Sequence, residues 1–304
     1  RGKEMPFSCL LDGDLPEEER IPLIEKFRKM YETMDFYVLY NRFLKKEGYQ
    51  TLPRRPLEKR KLRYEDVYPV LYLKYRLSRQ AERSNIKHLV IDEMQDYSRL
   101  QYLIIRRMFS CKMTILGDRA QTMADQQQDV LQFLPGIFGK DLRRIEMRKS
   151  YRNTVEIASY AANLIGVTDL ELFERHGMPV LERDVTDLEA ALREAVDTLF
   201  PEEKTYETAA VIVPDEKTAE RAYLILLEIL AEKDFDCEKR LSWLNRDSSS
   251  FKKGLTVTTF YLAKGLEFDQ VFSIFPKDEK REMMMQAQYI AATRALHELR
   301  VYHI

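Results

Sequence analysis

The stretch Lys87-His88-Leu89-Val90-Ile91-Asp92-Glu93-Met94-Gln95-Asp96-Tyr97 decides how the chain is read. A short apolar run, Leu89-Val90-Ile91, delivers two consecutive carboxylates, Asp92 and Glu93, at the point where it stops. Leucine and β-branched residues bounded by charge describe a strand buried on both faces of a parallel sheet, and ligands of such sheets sit beyond the carboxyl ends of the strands. Asp92 and Glu93 therefore stand where a ligand would be bound. Keeping two adjacent carboxylates ionised is costly unless a cation or a hydrogen-bonded water shares the site, and a metal-bound phosphate is the natural partner. The plainer alternative, an Asp-Glu pair that caps the next helix, uses the same two residues. Gln95 and Asp96, close behind, favour the site.

At 304 residues the chain is long enough for two domains with separate cores. Its 49 basic and 50 acidic residues cancel, so a nucleic acid could be held only through a local groove and not by a global basic field. Three cysteines, Cys9, Cys111 and Cys237, lie far apart with no CxxC pair, which argues against a zinc site or a disulfide framework and fits a reducing compartment. No run of about 20 apolar residues and no signal-peptide pattern is present, so the expectation is a soluble, cytoplasmic protein with no membrane partner.

The first 85 or so residues read as mainly helical. Pro16-Glu17-Glu18-Glu19 opens a helix with Leu23, Ile24, Phe27, Met30 and Tyr31 at helical spacing; a second piece runs from Asp35 to Lys46 and ends near Gly48. Pro53-Arg54-Arg55-Pro56 breaks the pattern, and the basic run Lys59-Arg60-Lys61-Leu62-Arg63 is either a solvated face or a phosphate or partner contact. Tyr64 to Leu77 resumes as a tyrosine-rich helix.

From Ile86 the texture becomes α/β. After the first strand a helix is expected from Ser98 to Phe109, with Leu100, Leu103, Ile104, Ile105 and Met108 inward. A second strand, Met113-Thr114-Ile115-Leu116, ends in Gly117-Asp118-Arg119-Ala120-Gln121. A right-handed crossover between parallel strands would bring Asp118 and Gln121 to the edge that carries Asp92 and Glu93. Beyond Ile145, Asn153 or Thr154 can cap a helix to Leu164; strands are expected near 178–181, 209–213, 255–260 and 271–275, and helices near 187–199 and from Pro214-Asp215 to Ala231. A helix from Gln286 to Leu296 carries Thr293-Arg294, and Arg300-Val301-Tyr302 closes the chain.

Taken in order, these polar tips resemble the motif series of UvrD/Rep-type superfamily 1 helicases. Asp92-Glu93-Met94-Gln95-Asp96 is similar to motif II, Leu116 to Gln121 to motif III, and Ser150-Tyr151-Arg152-Asn153-Thr154 to motif IV. Thr258 to Phe268, with Lys264-Gly265-Leu266-Glu267, is similar to motif V, and Tyr289-Ile290-Ala291-Ala292-Thr293-Arg294-Ala295 to motif VI. The resemblance covers the chain from about residue 86 onward. It implies RecA-like P-loop NTPase domains: a mainly helical segment over 1–85 (1B-like or part of the first domain), the C-terminal part of domain 1A over 86–148, and a complete domain 2A over 149–304. It further implies ATP and Mg²⁺ as cofactors and coupling of hydrolysis to movement on single-stranded DNA or a duplex junction, by a monomer.

The residue roles follow from the same resemblance. Asp92 and Glu93 would hold Mg²⁺, mostly through water, with Glu93 also orienting or deprotonating the attacking water. Gln95 and Gln121 would sense the γ-phosphate, Arg152 and Arg294 would reach it as arginine fingers, Tyr151 would stack on adenine, and Gly265 and Glu267 would lie at the nucleotide, Glu267 on the ribose.

Three departures narrow the reading. No G-x-x-x-x-G-K-[ST] loop occurs, and Gly136-Ile137-Phe138-Gly139-Lys140-Asp141 lacks the spacing and the hydroxyl. The chain opens on Arg1, and the expectation is that it starts after that loop and is inactive alone. Tyr261 stands where motif V commonly has histidine, and only about 100 residues separate motifs IV and V, too few for a large 2B insertion. With the lead-in Arg63-Tyr64-Glu65-Asp66, these features look most like the HelD branch, whose members recycle RNA polymerase. A binding module that does not hydrolyse ATP is the third alternative.

Overall fold

The computed structural model describes residues 18, 21–22, 24–25, 33, 35–77, 83, 85–118, 121, 130–139, 142–147, 149–167, 171–233, 235–248, 252–277 and 282–304. The helix expected from Pro16 to Tyr31 lies mostly outside the described residues, as do Arg119 and Ala120. The chain divides into two units: residues 1–90 with 98–114, and residues 91–97 with 115–304.

In the first unit, α1 (Phe36–Lys46) starts because the Asp35 carboxylate accepts from the backbone N–H groups of Tyr37 and Val38, and it ends with Lys45 and Lys46 in its last turn ahead of Gly48 at φ +77. Tyr37, Tyr40 and Leu44 recur on one side of it and pack with Leu52, half-buried Leu62, and Val70 and Leu73 of α2 (Tyr64–Leu77). The Tyr40 hydroxyl donates to Asp66 at 2.8 Å, and burial, then that carboxylate, push its pKa up to about 12.

The strand β1 (His88–Ile91) pairs with β2 (Lys112–Ile115) in a two-stranded sheet. Burial on both faces, expected from its apolar run, is not observed: Val90 is 60% exposed, because β1 has one neighbouring strand among the described residues. Between them α3 (Arg99–Met108) is opened by a reciprocal capping box of Ser98 and Gln101. Its most buried side chain is Tyr102, not one of the aliphatic residues expected to face inward; an aromatic hydroxyl disguises a ring that belongs to the core.

The second unit holds α4 (Val130–Phe138), β3 (Lys149–Ser150), α5 (Val155–Leu164), β4 (Glu171–Leu172), β5 (Leu181–Asp184), α6 (Leu188–Asp197), β6 (Thr208–Val213), α7 (Glu216–Ala231), α8 (Cys237–Arg240), β7 (Leu241–Trp243), β8 (Gly254–Thr259), β9 (Phe268–Phe275), α9 (Glu282–Ala292) and β10 (Ala295–His303). Six strands form a parallel sheet in the order β5-β10-β9-β6-β8-β7. The period of two along β6 sorts its residues: Ala209, Val211 and Val213 pack with α6 and α7, whereas Ala210 and Ile212 pack with α5 and α9. Both faces are covered, as a parallel sheet requires. Gly136 to Phe138 lie within α4, so that stretch is a helix and not a phosphate-binding loop.

Two expected boundaries are corrected. The strand placed near 178–181 runs instead from Leu181 to Asp184, where it gains the parallel partner β10. The last helix stops at Ala292, and Ala295 and Leu296 already belong to β10. Arg294 therefore occupies the turn between helix and strand.

Candidate functional site

The site is assembled within the second unit, starting from the turn after β1. Glu93 takes φ 51 and ψ 50, a left-handed conformation uncommon outside glycine, and Met94 to Asp96 follow as a single 3₁₀ turn. The segment after β2 laces this turn down: Leu116 N–H donates to Ile91 O and Leu116 O accepts from Met94 N–H, both at 2.8 Å. Gly117 lies so close that a Cβ there would stand 2.5 Å from Gln95 Oε1 and 2.7 Å from the Met94 nitrogen. Only glycine fits that contact.

Gln95, buried, joins the two segments. Its Nε2 donates to Glu93 Oε2 at 2.6 Å and its Oε1 accepts from Asp118 N–H at 3.2 Å. Asp118 Oδ2 accepts from Gln121 Nε2 at 2.9 Å and from the Tyr289 hydroxyl at 3.0 Å. Gln121, also buried, turns its Oε1 to Arg294 Nη2 at 3.3 Å. A hydrogen-bonded chain thus runs from Glu93 through Gln95, Asp118 and Gln121 to Arg294.

Arg294 is 2% exposed. Its Nε donates to Ile290 O at 3.2 Å, Nη1 to Leu266 O at 3.4 Å, and Nη2 also to Thr293 Oγ1 at 3.1 Å. Burial, and then the neighbouring Arg152 charge, push its pKa down, while Glu93 and Glu267 oppose the shift. The turn that holds it is pinned by Asn153, whose Nδ2 donates to Thr293 O at 3.3 Å and Ala295 O at 2.6 Å. Thr154, not Asn153, caps α5.

The remaining candidates lie nearer the surface. Arg152 pairs with Glu267 at 2.6 Å, the side chains 45% and 41% exposed, so this bridge is solvated and weak. Tyr151 is exposed; its ring lies 5.6 Å from that of Phe173, with Lys149 Nζ 5.5 Å from its centroid. Gly265 adopts φ +77, and Lys264 beside it reaches Asp96 Oδ1 at 2.7 Å. Lys264 and Tyr289 carry no role in the sequence reading, and Asn153 only that of a candidate helix cap, though each lies in a stretch it singles out. The signal that could have found Tyr289 is a phenol five positions before Arg294 in the stretch similar to motif VI.

Asp92 is exposed; its Oδ1 accepts from Glu93 N–H at 2.8 Å. Asp92 Oδ2 and Glu93 Oε1 accept no hydrogen bond among the described residues. Among those residues no group of three or more His, Cys, Asp and Glu side chains converges as a metal-ligand set. The two carboxylates fit a Mg²⁺ ion that keeps several waters and takes its other ligands from phosphate, the usual habit of that ion.

A parallel sheet with helices on both faces, and polar residues gathered around the turn after β1, define a mixed α/β protein, an arrangement consistent with RecA-like domains. Residues 14–123 match the UvrD/REP helicase N-terminal domain family. Among solved structures the chain is similar to the C-terminal domain of a possible DNA helicase from Lactobacillus plantarum WCFS1, with 23% identity over 51% of this chain and 88% of that one and a TM-score of 0.38. It is similar to the PRRSV helicase at 16% identity, covering 74% of this chain and 36% of that one with a TM-score of 0.39. It is also similar to Arterivirus nonstructural protein 10 (helicase) in a complex with DNA, at 15% identity, 74% and 41% coverage and a TM-score of 0.39. The chain thus spans less than half the length of either viral helicase. No match is found among curated proteins. Among the described residues no helix is long and apolar enough to cross a membrane.

Proposed function

We propose that this chain supplies the carboxylate and γ-phosphate-sensing part of an ATP-driven motor on nucleic acid, of the superfamily 1 helicase type. The observation that carries the reading is the hydrogen-bonded chain from Glu93 to Arg294 through Gln95, Asp118 and Gln121. Such a path links a general-base carboxylate to an arginine that answers phosphate charge. When bound, Mg²⁺·ATP supplies the electrophilic phosphorus and its leaving group.

In this reading Asp92 holds Mg²⁺ through water. Glu93 orients the attacking water, and Gln95 keeps that carboxylate in place through its 2.6 Å hydrogen bond. Arg294 Nη2 exchanges Gln121 Oε1 for a phosphate oxygen, so that loss of the phosphate is felt along the path through Gln121. Arg152 leaves Glu267 for the phosphate, and Glu267 is then freed for the ribose. Tyr151, with Phe173 beside it, offers a flat exposed ring to the base. The sequence has no G-x-x-x-x-G-K-[ST] loop, so the backbone donors that cradle the β-phosphate are not among these residues.

A second reading, a module that binds without hydrolysing, is favoured by one observation: four of the five N–H donors of Arg294 are spent on its own chain. Titration with a fluorescent ATP analogue, with and without Mg²⁺, separates the two. The motor reading expects weak, Mg²⁺-dependent binding that Arg152→Ala and Tyr151→Ala each reduce, with negligible turnover by this chain. Binding indifferent to Mg²⁺ and to both substitutions would leave the module reading. Measurable turnover abolished by Glu93→Gln would overturn the expectation that the chain is inactive alone.

A further inference from the structure

Residues 42–63 carry nine lysines and arginines against two acidic residues, Glu47 and Glu58, in a chain whose net charge is −1. The segment is folded and held from below. Tyr37 donates its hydroxyl to Pro53 O at 2.7 Å, and Asn41 brackets Leu52, donating to its carbonyl at 3.2 Å and accepting from its N–H at 2.7 Å. Arg60 is spent on this scaffold: it pairs with Asp35 at 2.7 Å, donates to Arg55 O at 3.0 Å and lies 4.7 Å over the Tyr37 ring. Arg63 lies 3.9 Å from Glu65. Lys45, Lys46, Arg54, Arg55, Lys59 and Lys61 are exposed, and none pairs with a carboxylate among the described residues.

Interleaved with them stand exposed aromatic side chains, Phe43 at 50%, Tyr49 at 65% and Tyr64 at 75%. Six cations without carboxylate partners on a segment anchored by these hydrogen bonds, alternating with exposed rings, match a polymer that presents phosphates and flat faces together. An acidic polypeptide offers no regular series of flat faces to stack.

We propose that residues 42–64 form a binding surface for a single-stranded nucleic acid, gripped at its phosphates by Arg54, Arg55, Lys59 and Lys61 and stacked on Tyr49 and Tyr64. The surface belongs to the unit that does not carry the polar site, and the inference does not rest on the nucleotide reading.

The test is equilibrium binding of labelled oligothymidine by anisotropy, without nucleotide, over a range of NaCl concentrations. Arg54→Gln/Arg55→Gln and Lys59→Gln/Lys61→Gln are each expected to weaken binding and to flatten the log–log salt dependence by about 1.4, two phosphate contacts at about 0.7 each. Tyr49→Ala/Tyr64→Ala is expected to weaken binding about tenfold or more and leave the salt slope unchanged. Unchanged affinity and slope in both cation variants would overturn the proposal. So would stronger binding of duplex DNA than of the strand, or displacement of the strand by equal charge concentrations of poly-L-glutamate or phosphatidylserine vesicles.

Discussion

Arg294 donates from Nη2 to Gln121 Oε1 at 3.3 Å, although the two residues are 173 positions apart. The guanidinium fork also serves Ile290 O and Leu266 O from a buried position. An ammonium has no planar fork and cannot serve all three acceptors. Arg294→Lys should therefore cost about 3 kcal/mol of unfolding free energy, the scale of stranding buried partners of a charged group, read as a lowered urea midpoint.

Tyr289 shares Asp118 Oδ2 with Gln121 Nε2. Burial, and then the Asp118 charge, push the phenol's pKa up, so it stays a donor throughout the neutral range. Tyr289→Phe should lower stability by about 1–2 kcal/mol, and a double-mutant cycle with Asp118→Asn should show coupling of about 1 kcal/mol. A cycle that sums without coupling would mean the two side chains act independently.

Gly117 faces the Met94–Asp96 turn without room for a methyl group. Gly117→Ala should destabilise the fold by about 1–3 kcal/mol, the range for overpacking. Because Gln95 Oε1 is one of the atoms struck, Gly117→Ala with Gln95→Ala should lose less than the sum of the two single losses.

Glu156 receives His176 Nδ1 at 2.9 Å and Gly177 N–H at 2.8 Å. The His176 hydrogen bond first, with burial opposing, holds its pKa at about 2 against an ordinary 4.5. A carboxyl whose folded pKa is depressed stabilises the fold above its unfolded value, and that contribution drains away as the pH falls through the folded one. Stability should therefore decline between about pH 4.5 and about pH 2, and Glu156→Gln should flatten that part of the acid-unfolding profile.

Much of the sheet domain was legible because local signals agree there. The alternation Ala209-Ala210-Val211-Ile212-Val213 specifies a strand covered on both faces, and Asp215 and Thr154 announce their helices through side chains that accept from Thr218 and Ile157 N–H. The end of α9 was not legible. Ala291-Ala292-Thr293 is compatible with continued helix, and the turn there is held by Asn153, 140 residues away from Thr293. The candidate site shows the same division. Its acidic tips and arginines stand out as motifs, whereas Tyr289 needs its Asp118 partner, 171 positions distant, before any part can be given to it. In α3, pattern reading favoured aliphatic residues and passed over Tyr102.

Residues 91–97 group with residues 115–304 although both of their chain neighbours belong to the other unit. The chain therefore changes units after Val90, after Tyr97 and after Thr114, and no single cut divides them. A gene segment starting at residue 115 would encode Gln121, Arg152 and Arg294 while omitting Glu93 and Gln95. The shortest contiguous reading frame that spans Glu93 and Arg294 must also carry residues 98–114. Recombination or exon shuffling could not move this constellation as one cassette without bringing part of the other unit along.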